Sequence, residues 1–157
     1  MTITVRKADV NDVPAIYDLL KRLSAQELLL PRSYVNLYEM LQTLHVAQDS
    51  QLQGRLAGVG ALQVAWEDLA EVRSLAVPEE LRGRGIGKLL TEAIEREALT
   101  IKVKKMFVLT YVPDFFIKLG YHIVSLDSLP QKIWAVCFNC VHYPNCKEIA
   151  LVKDLGI

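Results

Sequence analysis

The sequence predicts an α/β protein built on a mixed sheet. Three observations carry that expectation. Glu71 to Ile101 reads as a strand, a glycine-rich loop and a helix in succession. The chain as a whole alternates strand-like and helix-like runs in the order β-α-α-β-β-β-α-β-α-β-β. And 157 residues, 52% hydrophobic and 23% charged, suffice for a single domain with its own core, so residues 1–157 are read as one unit.

Thr2 to Lys7 is a strand, because Ile3 and Val5 alternate with polar neighbours. Asn11 or Asp12 caps a helix beginning near Val13-Pro14, whose buried face carries Ile16, Leu19, Leu20 and Leu23. Leu28 to Leu30 form an apolar patch closed by Pro31, and Ser33 caps a short second helix with Tyr34, Leu37, Tyr38 and Leu41. Leu44 to Ala47 and Arg55 to Trp66 are strands. Gly58 and Gly60 inside the second point to a bulge or to close approach of another backbone. Glu71 to Val77 follows, ended by Pro78, which has no N–H for a sheet ladder.

The long helix is marked by Ile86, Leu89, Leu90, Ala93, Ile94 and Ile101, a face of helical period. Lys105 to Tyr111 is a buried strand. Pro113 to Leu119 is a short helix closed by Gly120, and Tyr121 to Leu126 and Glu148 to Leu155 are the last strands. A cysteine-containing insert occupies about residues 129–147.

Lys plus Arg and Asp plus Glu balance at 18 each, so no basic excess points to nucleic acid or to a membrane surface. The N-terminus lacks the apolar run of a signal peptide or membrane span, and the expected compartment is the cytoplasm. The expected partner is a small molecule; assembly as a homodimer is left open.

The chemical part of the chain is the loop Arg82-Gly83-Arg84-Gly85-Ile86-Gly87 with Lys88. Its glycines let the backbone turn tightly against a ligand. Its N–H groups open a helix at the positive end of the helix dipole, which makes an anion site suited to phosphate. Arg82, Arg84 and Lys88 add positive charge. A plain glycine-rich connector is the alternative. The loop is neither a P-loop nor a dinucleotide fingerprint.

This loop resembles the R/Q-x-x-G-x-G/A motif of the GNAT acetyltransferases, and the preceding LAV-P and following helix match its context. The resemblance implies a strongly twisted mixed sheet with helices on both faces. It implies acetyl-CoA as co-substrate, with its pyrophosphate on Arg82 to Lys88 and the Leu75-Ala76-Val77 backbone lining the thioester. It places Phe115 and Phe116 in the acetyl-CoA region. Phe116 stands where the family often carries a general-acid tyrosine, so it is expected to pack, and Tyr111 is the candidate substitute. An unassisted thiolate also leaves tolerably, since a thiol pKa is about 8.5.

Acetyl transfer to an amine that is mostly protonated at neutral pH is helped by a general base. Glu71, on the strand entering that segment, resembles the base of several GNAT branches; the alternative is that it only pairs with Arg73, two residues on.

A closer resemblance is to the short stand-alone N-acetylglutamate synthases of bacterial arginine biosynthesis. It runs through Leu28 to Ser33, Leu37-Tyr38-Glu39, Gly58 to Leu62, Trp66 to Arg73, Leu109 to Tyr111 and the Leu129-Pro130 segment. It implies L-glutamate as acceptor, and Arg32 and Arg73 are the candidate carboxylate anchors. Other amines, a protein N-terminus, or a non-catalytic acetyl-CoA or metal sensor are the competing readings.

Cys137, Cys140 and Cys146, spaced C-x₂-C-x₅-C with His142 between, have the ligand types of a tetrahedral zinc site. His142 lies only two residues after Cys140, which is tight for joint ligation. Reduced loop cysteines or a regulatory disulfide are the alternatives.

Overall fold

The computed structural model describes residues 2–25, 32–51, 55–130 and 148–156. Its sheet has seven strands among these: β1 (Ile3–Lys7), β2 (Leu44–Asp49), β3 (Leu56–Trp66), β4 (Leu69–Ala76), β5 (Lys105–Thr110), β6 (His122–Val124) and β7 (Ile149–Asp154). The order is β1-β2-β3-β4-β5-β7-β6. Only β4 and β5 run parallel; every other neighbour is antiparallel. The same residues form four α-helices: α1 (Val13–Ala25), α2 (Tyr34–Glu39), α3 (Ile86–Thr100) and α4 (Pro113–Ile117). The mixed sheet and the element order are those expected from the sequence.

Local chemistry explains most boundaries. Asp9, not Asn11 or Asp12, makes the first cap: its carboxylate accepts from the Asn11 N–H at 2.9 Å, and the Asp12 carboxylate accepts from the Asp9 N–H at 2.7 Å. This reciprocal box opens a 3₁₀ turn, Val10–Asp12, that leads into α1. Ser33 caps α2, accepting from the Asn36 N–H at 3.0 Å. The expected strand Tyr121 to Leu126 is shorter. It stops at Val124, and Leu126–Ser128 forms a 3₁₀ turn.

Helices cover both faces. α1 and α2 pack on one, with Ile16, Leu20 and Leu37 against Leu44, Val46, Val59 and Ala61. α3 covers the other, with Ile94 and Ala98 against Leu62, Ala70 and Val72. The two β3 glycines serve this second contact. A Cβ on Gly58 would meet Leu90 Cδ1 at 2.9 Å, and one on Gly60 would meet Ile94 Cδ1 at 2.9 Å. Glycine there lets α3 approach the sheet.

Two irregularities shape the centre. β4 and β5 pair only at Leu69↔Lys105, Ala70↔Met106 and Glu71↔Phe107. Beyond Glu71 the two parallel strands part, and β5 continues with β7 alone. Their carboxyl ends therefore flank a gap where backbone groups lack a sheet partner, the usual place for a ligand in a sheet with parallel strands. The second irregularity is a bulge. The β3–β4 register passes from Ala61↔Arg73 to Val59↔Ala76, so Ser74 and Leu75 together face Gly60. Ser74 takes φ +55° to do this.

Candidate active site

The bulge decides which side chains meet. Cross-strand partners share a sheet face. Arg73 lies opposite Ala61 and Glu71 opposite Gln63, so both project on the α1/α2 side. An unbroken strand would place Leu75 there as well. The extra residue reverses the alternation, sends Leu75 to the α3 side and returns Ala76 to the α1/α2 core.

Glu71 is 8% exposed. Its Oε1 accepts from Arg73 Nε at 2.9 Å and lies 2.8 Å from Arg73 Nη2. Burial holds the Glu71 carboxyl above the ordinary carboxylate range, while Arg73 and Arg32 pull the other way. Arg32 reaches this cluster from the residue before the α2 cap. Its Nε donates to Ser74 Oγ at 3.4 Å and its Nη1 to Asn36 Oδ1 at 3.3 Å. Neither partner is charged. Burial and the neighbouring Arg73 guanidinium lower the Arg32 pKa below its ordinary value, opposed by Glu71, which leaves a guanidinium cationic at neutral pH. The cluster thus holds two guanidiniums and one carboxylate, with Arg73 committed to Glu71 and Arg32 held by neutral groups.

The sequence-derived residues Glu71, Arg73 and Arg32 are therefore brought together. Ser74 and Asn36 join them without having been anticipated. Asn36 had a local signal, since it lies four residues after Arg32 and on the turn that Ser33 caps. Ser74 had none, because its position depends on the register of β4 against Gly60.

The glycine loop sits at the carboxyl end of β4. A 3₁₀ turn, Glu79–Leu81, leads into it, and α3 begins at Ile86 without any side-chain cap, so its first N–H groups are not taken up by a capping side chain. Gly83 and Gly85 adopt φ +80° and +81°, and a Cβ on either would meet nothing within 4 Å. These two positions need glycine for the backbone conformation and face open space. Gly87 differs, because a Cβ there would lie 3.0 Å from Phe115 Cζ. Ile86 is buried at 1%, so only its backbone faces the loop. Arg82 Nε donates to the Val77 carbonyl at 3.3 Å. Arg84 and Lys88 are exposed.

Tyr111 follows directly after β5, at the other side of the gap. Phe116 is 3% exposed and packs edge-on against Phe115 and Tyr121 with ring centroids 4.9 and 5.4 Å apart. It packs as a core residue, as expected; Phe115, against Gly87, is the ring beside the loop. Among the described residues no group of three or more His, Cys, Asp or Glu side chains is placed to hold a metal. Cys137, Cys140, Cys146 and His142 lie outside the described residues, and no observation supports zinc. Among the described residues, no helix is long and apolar enough to cross a membrane.

Residues 41–123 match the family model of the acetyltransferase (GNAT) domain, more than half of the chain. The chain belongs to the GNAT acetyltransferase family. As a member of it, the chain is an N-acetyltransferase that uses acetyl-CoA. Among its relatives is an uncharacterized N-acetyltransferase of Chlorobaculum tepidum, 38% identical over 96% of both chains. An amino-acid acetyltransferase of Mycobacterium tuberculosis is 38% identical over 74% of this chain and 67% of that protein. In three dimensions the GNAT chain resembles the N-acetylglutamate synthase of Neisseria gonorrhoeae complexed with coenzyme A and N-acetyl-glutamate. The TM-score is 0.90 at 26% identity, over 100% of this chain and 36% of that one. The present chain thus spans about a third of the length of that synthase.

Proposed function

We propose that this GNAT acetyltransferase moves the acetyl group of acetyl-CoA to the α-amine of an amino acid, with L-glutamate as the acceptor. The observation that carries the reading is the Glu71–Arg73–Arg32 cluster beside the gap between β4 and β5. An amino acid brings a carboxylate for a guanidinium and an amine for a base, and this cluster offers both.

In this reading the pyrophosphate of acetyl-CoA sits on the N–H groups of Gly83 to Lys88, and the thioester enters between the carboxyl ends of β4 and β5. A backbone N–H of the Leu75 to Val77 segment polarises the thioester oxygen. Glu71 takes one proton from the acceptor ammonium. Both Arg73 contacts fall on Oε1, so Oε2 is the oxygen that receives it. Burial supports this role, because a carboxyl held above its ordinary range binds a proton more readily. The neutral amine attacks the thioester carbon, the C–S bond breaks, and the coenzyme A thiolate takes the second amine proton as the amide forms. Tyr111, directly after β5, relays that proton in this reading.

Arg32, which forms no ion pair among the described residues, anchors an acceptor carboxylate. Glutamate is supported by the similarity to a synthase solved with N-acetyl-glutamate. One observation favours a second acceptor, glutamine: Arg73 is already paired with Glu71, which leaves a single uncommitted guanidinium in the cluster. Such substrates are soluble metabolites, in keeping with a cytoplasmic enzyme. The test is acetyl-CoA consumption across amino acids and simple amines. Glutamate is expected to lead. A preference for glutamine would replace the acceptor, and a preference for a cationic amine over every amino acid would reject the reading.

A further inference from the structure

Arg6, Arg22, Arg55 and Arg73 each have a carboxylate within ion-pair distance. Arg32 is held in another way. It is half-buried, and its acceptors are neutral: Ser74 Oγ at 3.4 Å and Asn36 Oδ1 at 3.3 Å. Both contacts lie at the long end of the hydrogen-bond range, so neither is strong alone. They come from separate elements, β4 and α2, and they grip separate nitrogens, Nε and Nη1. Two such points fix the orientation of a planar guanidinium. They leave both Nη2 hydrogens and one on Nη1, enough for the paired N–H···O bonds of a carboxylate. A cation drawn out of water without a counter-charge is unfavourable, and a ligand carboxylate would supply that charge.

Asn36 runs against the local preferences of its position. It is the third residue of α2, three after the Ser33 cap whose hydroxyl accepts its N–H. A capping box carries Glu or Gln there, and an acidic side chain suits the unpaired N–H groups of a first turn. The first turn of α2 nevertheless has no acidic residue. An aspartate, which has the shape of asparagine, would also form an ion pair with Arg32 at the place where the amide oxygen now accepts. Local stability therefore favours an acid at position 36, and the chain carries an amide. Departures of this kind mark places where stability and function compete.

We propose that Asn36 is a positioning residue that sets the preference for an anionic acceptor. Together with Ser74 it orients the Arg32 guanidinium, and because it is neutral it leaves the positive charge to the acceptor carboxylate. The inference rests on the Arg32 anchor proposed above.

The experiment measures the KM for L-glutamate and for acetyl-CoA, kcat and the melting temperature for the wild type, Asn36→Asp, Asn36→Ala and Arg32→Ala. Where another amino acid leads the acceptor screen, it takes the place of glutamate. Asn36→Asp keeps the shape and adds a charge that neutralises Arg32. It should raise the glutamate KM about tenfold, the size of a charge-assisted contact. Its acetyl-CoA KM and kcat should match the wild type, and its melting temperature should be equal or higher. Asn36→Ala removes one long neutral hydrogen bond and should raise the glutamate KM only about two- to fivefold. A merely structural role predicts the reverse order, because the isosteric change is then the milder one. A wild-type glutamate KM in Asn36→Asp, a larger rise in Asn36→Ala, or a loss of kcat or melting temperature in Asn36→Asp overturns the proposal. Arg32→Ala separates the two readings. If it raises the glutamate KM while Asn36→Asp does not, the anchor stands and the role of Asn36 is wrong. If it spares that KM, or if the wild type acetylates no amino acid, the anchor fails and this proposal falls with it.

Discussion

Glu71 is subject to opposing influences: burial favours its protonated form, and Arg73 and Arg32 favour its charged form. If Glu71 is the general base proposed above, Glu71→Gln should turn over at least about a hundredfold more slowly near neutral pH. That deficit should shrink at high pH, where the acceptor amine is already neutral; a deficit equal at all pH values would make Glu71 structural. The same pair predicts a shift in the pH profile. Arg73 lowers the Glu71 pKa, so Arg73→Ala should move the acid limb of kcat/KM to higher pH. Arg32→Ala tests the anchor instead. Losing a charge-assisted carboxylate contact costs about 1.5–3 kcal/mol, or roughly ten- to a hundredfold. The acceptor KM should rise by that factor while the acetyl-CoA KM stays where it was, and a rise in both would mean that Arg32 supports the fold of the site. At this scale the sequence named the participants Glu71, Arg73 and Arg32. It set a general-base role for Glu71 against pairing with Arg73 alone, and the structure contains the pair.

At the scale of elements, glycines act in two distinct ways. Gly83 and Gly85 are required by positive φ with empty space around them, so a side chain there disturbs only the backbone that presents the N–H groups. Gly85→Val is expected to raise the acetyl-CoA KM several-fold with little loss of melting temperature. Gly60 is required by packing, with Ile94 and Leu75 side chains 2.9 and 3.2 Å from an added Cβ. Gly60→Val should cost about 1–3 kcal/mol, read as a lower melting temperature, because α3 must shift from the sheet. If Gly85→Val proved the less stable of the two, this division would be wrong. The loop was legible because a glycine-rich turn before an amphipathic helix is a local pattern. The role of Gly58 and Gly60 was legible only as a choice between a bulge and a close approach, and the structure has both: α3 packs on the glycines, and the β4 bulge faces Gly60.

At the scale of the whole molecule, two ties between elements set the acid response. Arg6 on β1 holds both Asp12 oxygens at 2.8 Å, and this hydrogen bonding, more than any other influence, lowers the Asp12 pKa below its ordinary value. A lowered carboxylate contributes stability that is present above its unfolded pKa, about 3.9, and is lost as pH falls through the folded value. His45 on β2 is 4% exposed and faces Glu97 of α3 and Lys7 of β1. Burial first, and Lys7 second, lower its pKa, with Glu97 opposing. A histidine held neutral in the folded state lets stability fall as pH drops below its unfolded pKa, about 6.5. The melting temperature should therefore decline in two stages on acidification, first below about pH 6.5 and again below about pH 4. His45→Gln should flatten the first stage and leave the second. A single acid transition unaffected by His45→Gln would contradict this assignment.

By itself the sequence determined the alternation of strands and helices, the glycine loop, the Ser33 cap and the family resemblance. Each rests on residues near one another in the chain: glycine's tolerance of positive φ, the helical period of Ile86 to Ile94, the serine at the start of α2. Tertiary structure decided the site. Arg32 meets Ser74 across 42 residues of chain, and it does so because one bulged residue reverses the alternation of β4. That bulge is set by the register of β4 against β3, just as the gap is set by how far β4 pairs with β5. Register is a property of two strands at once. The residues of either strand alone do not contain it, and so the chemistry was written in the sequence while its assembly was not.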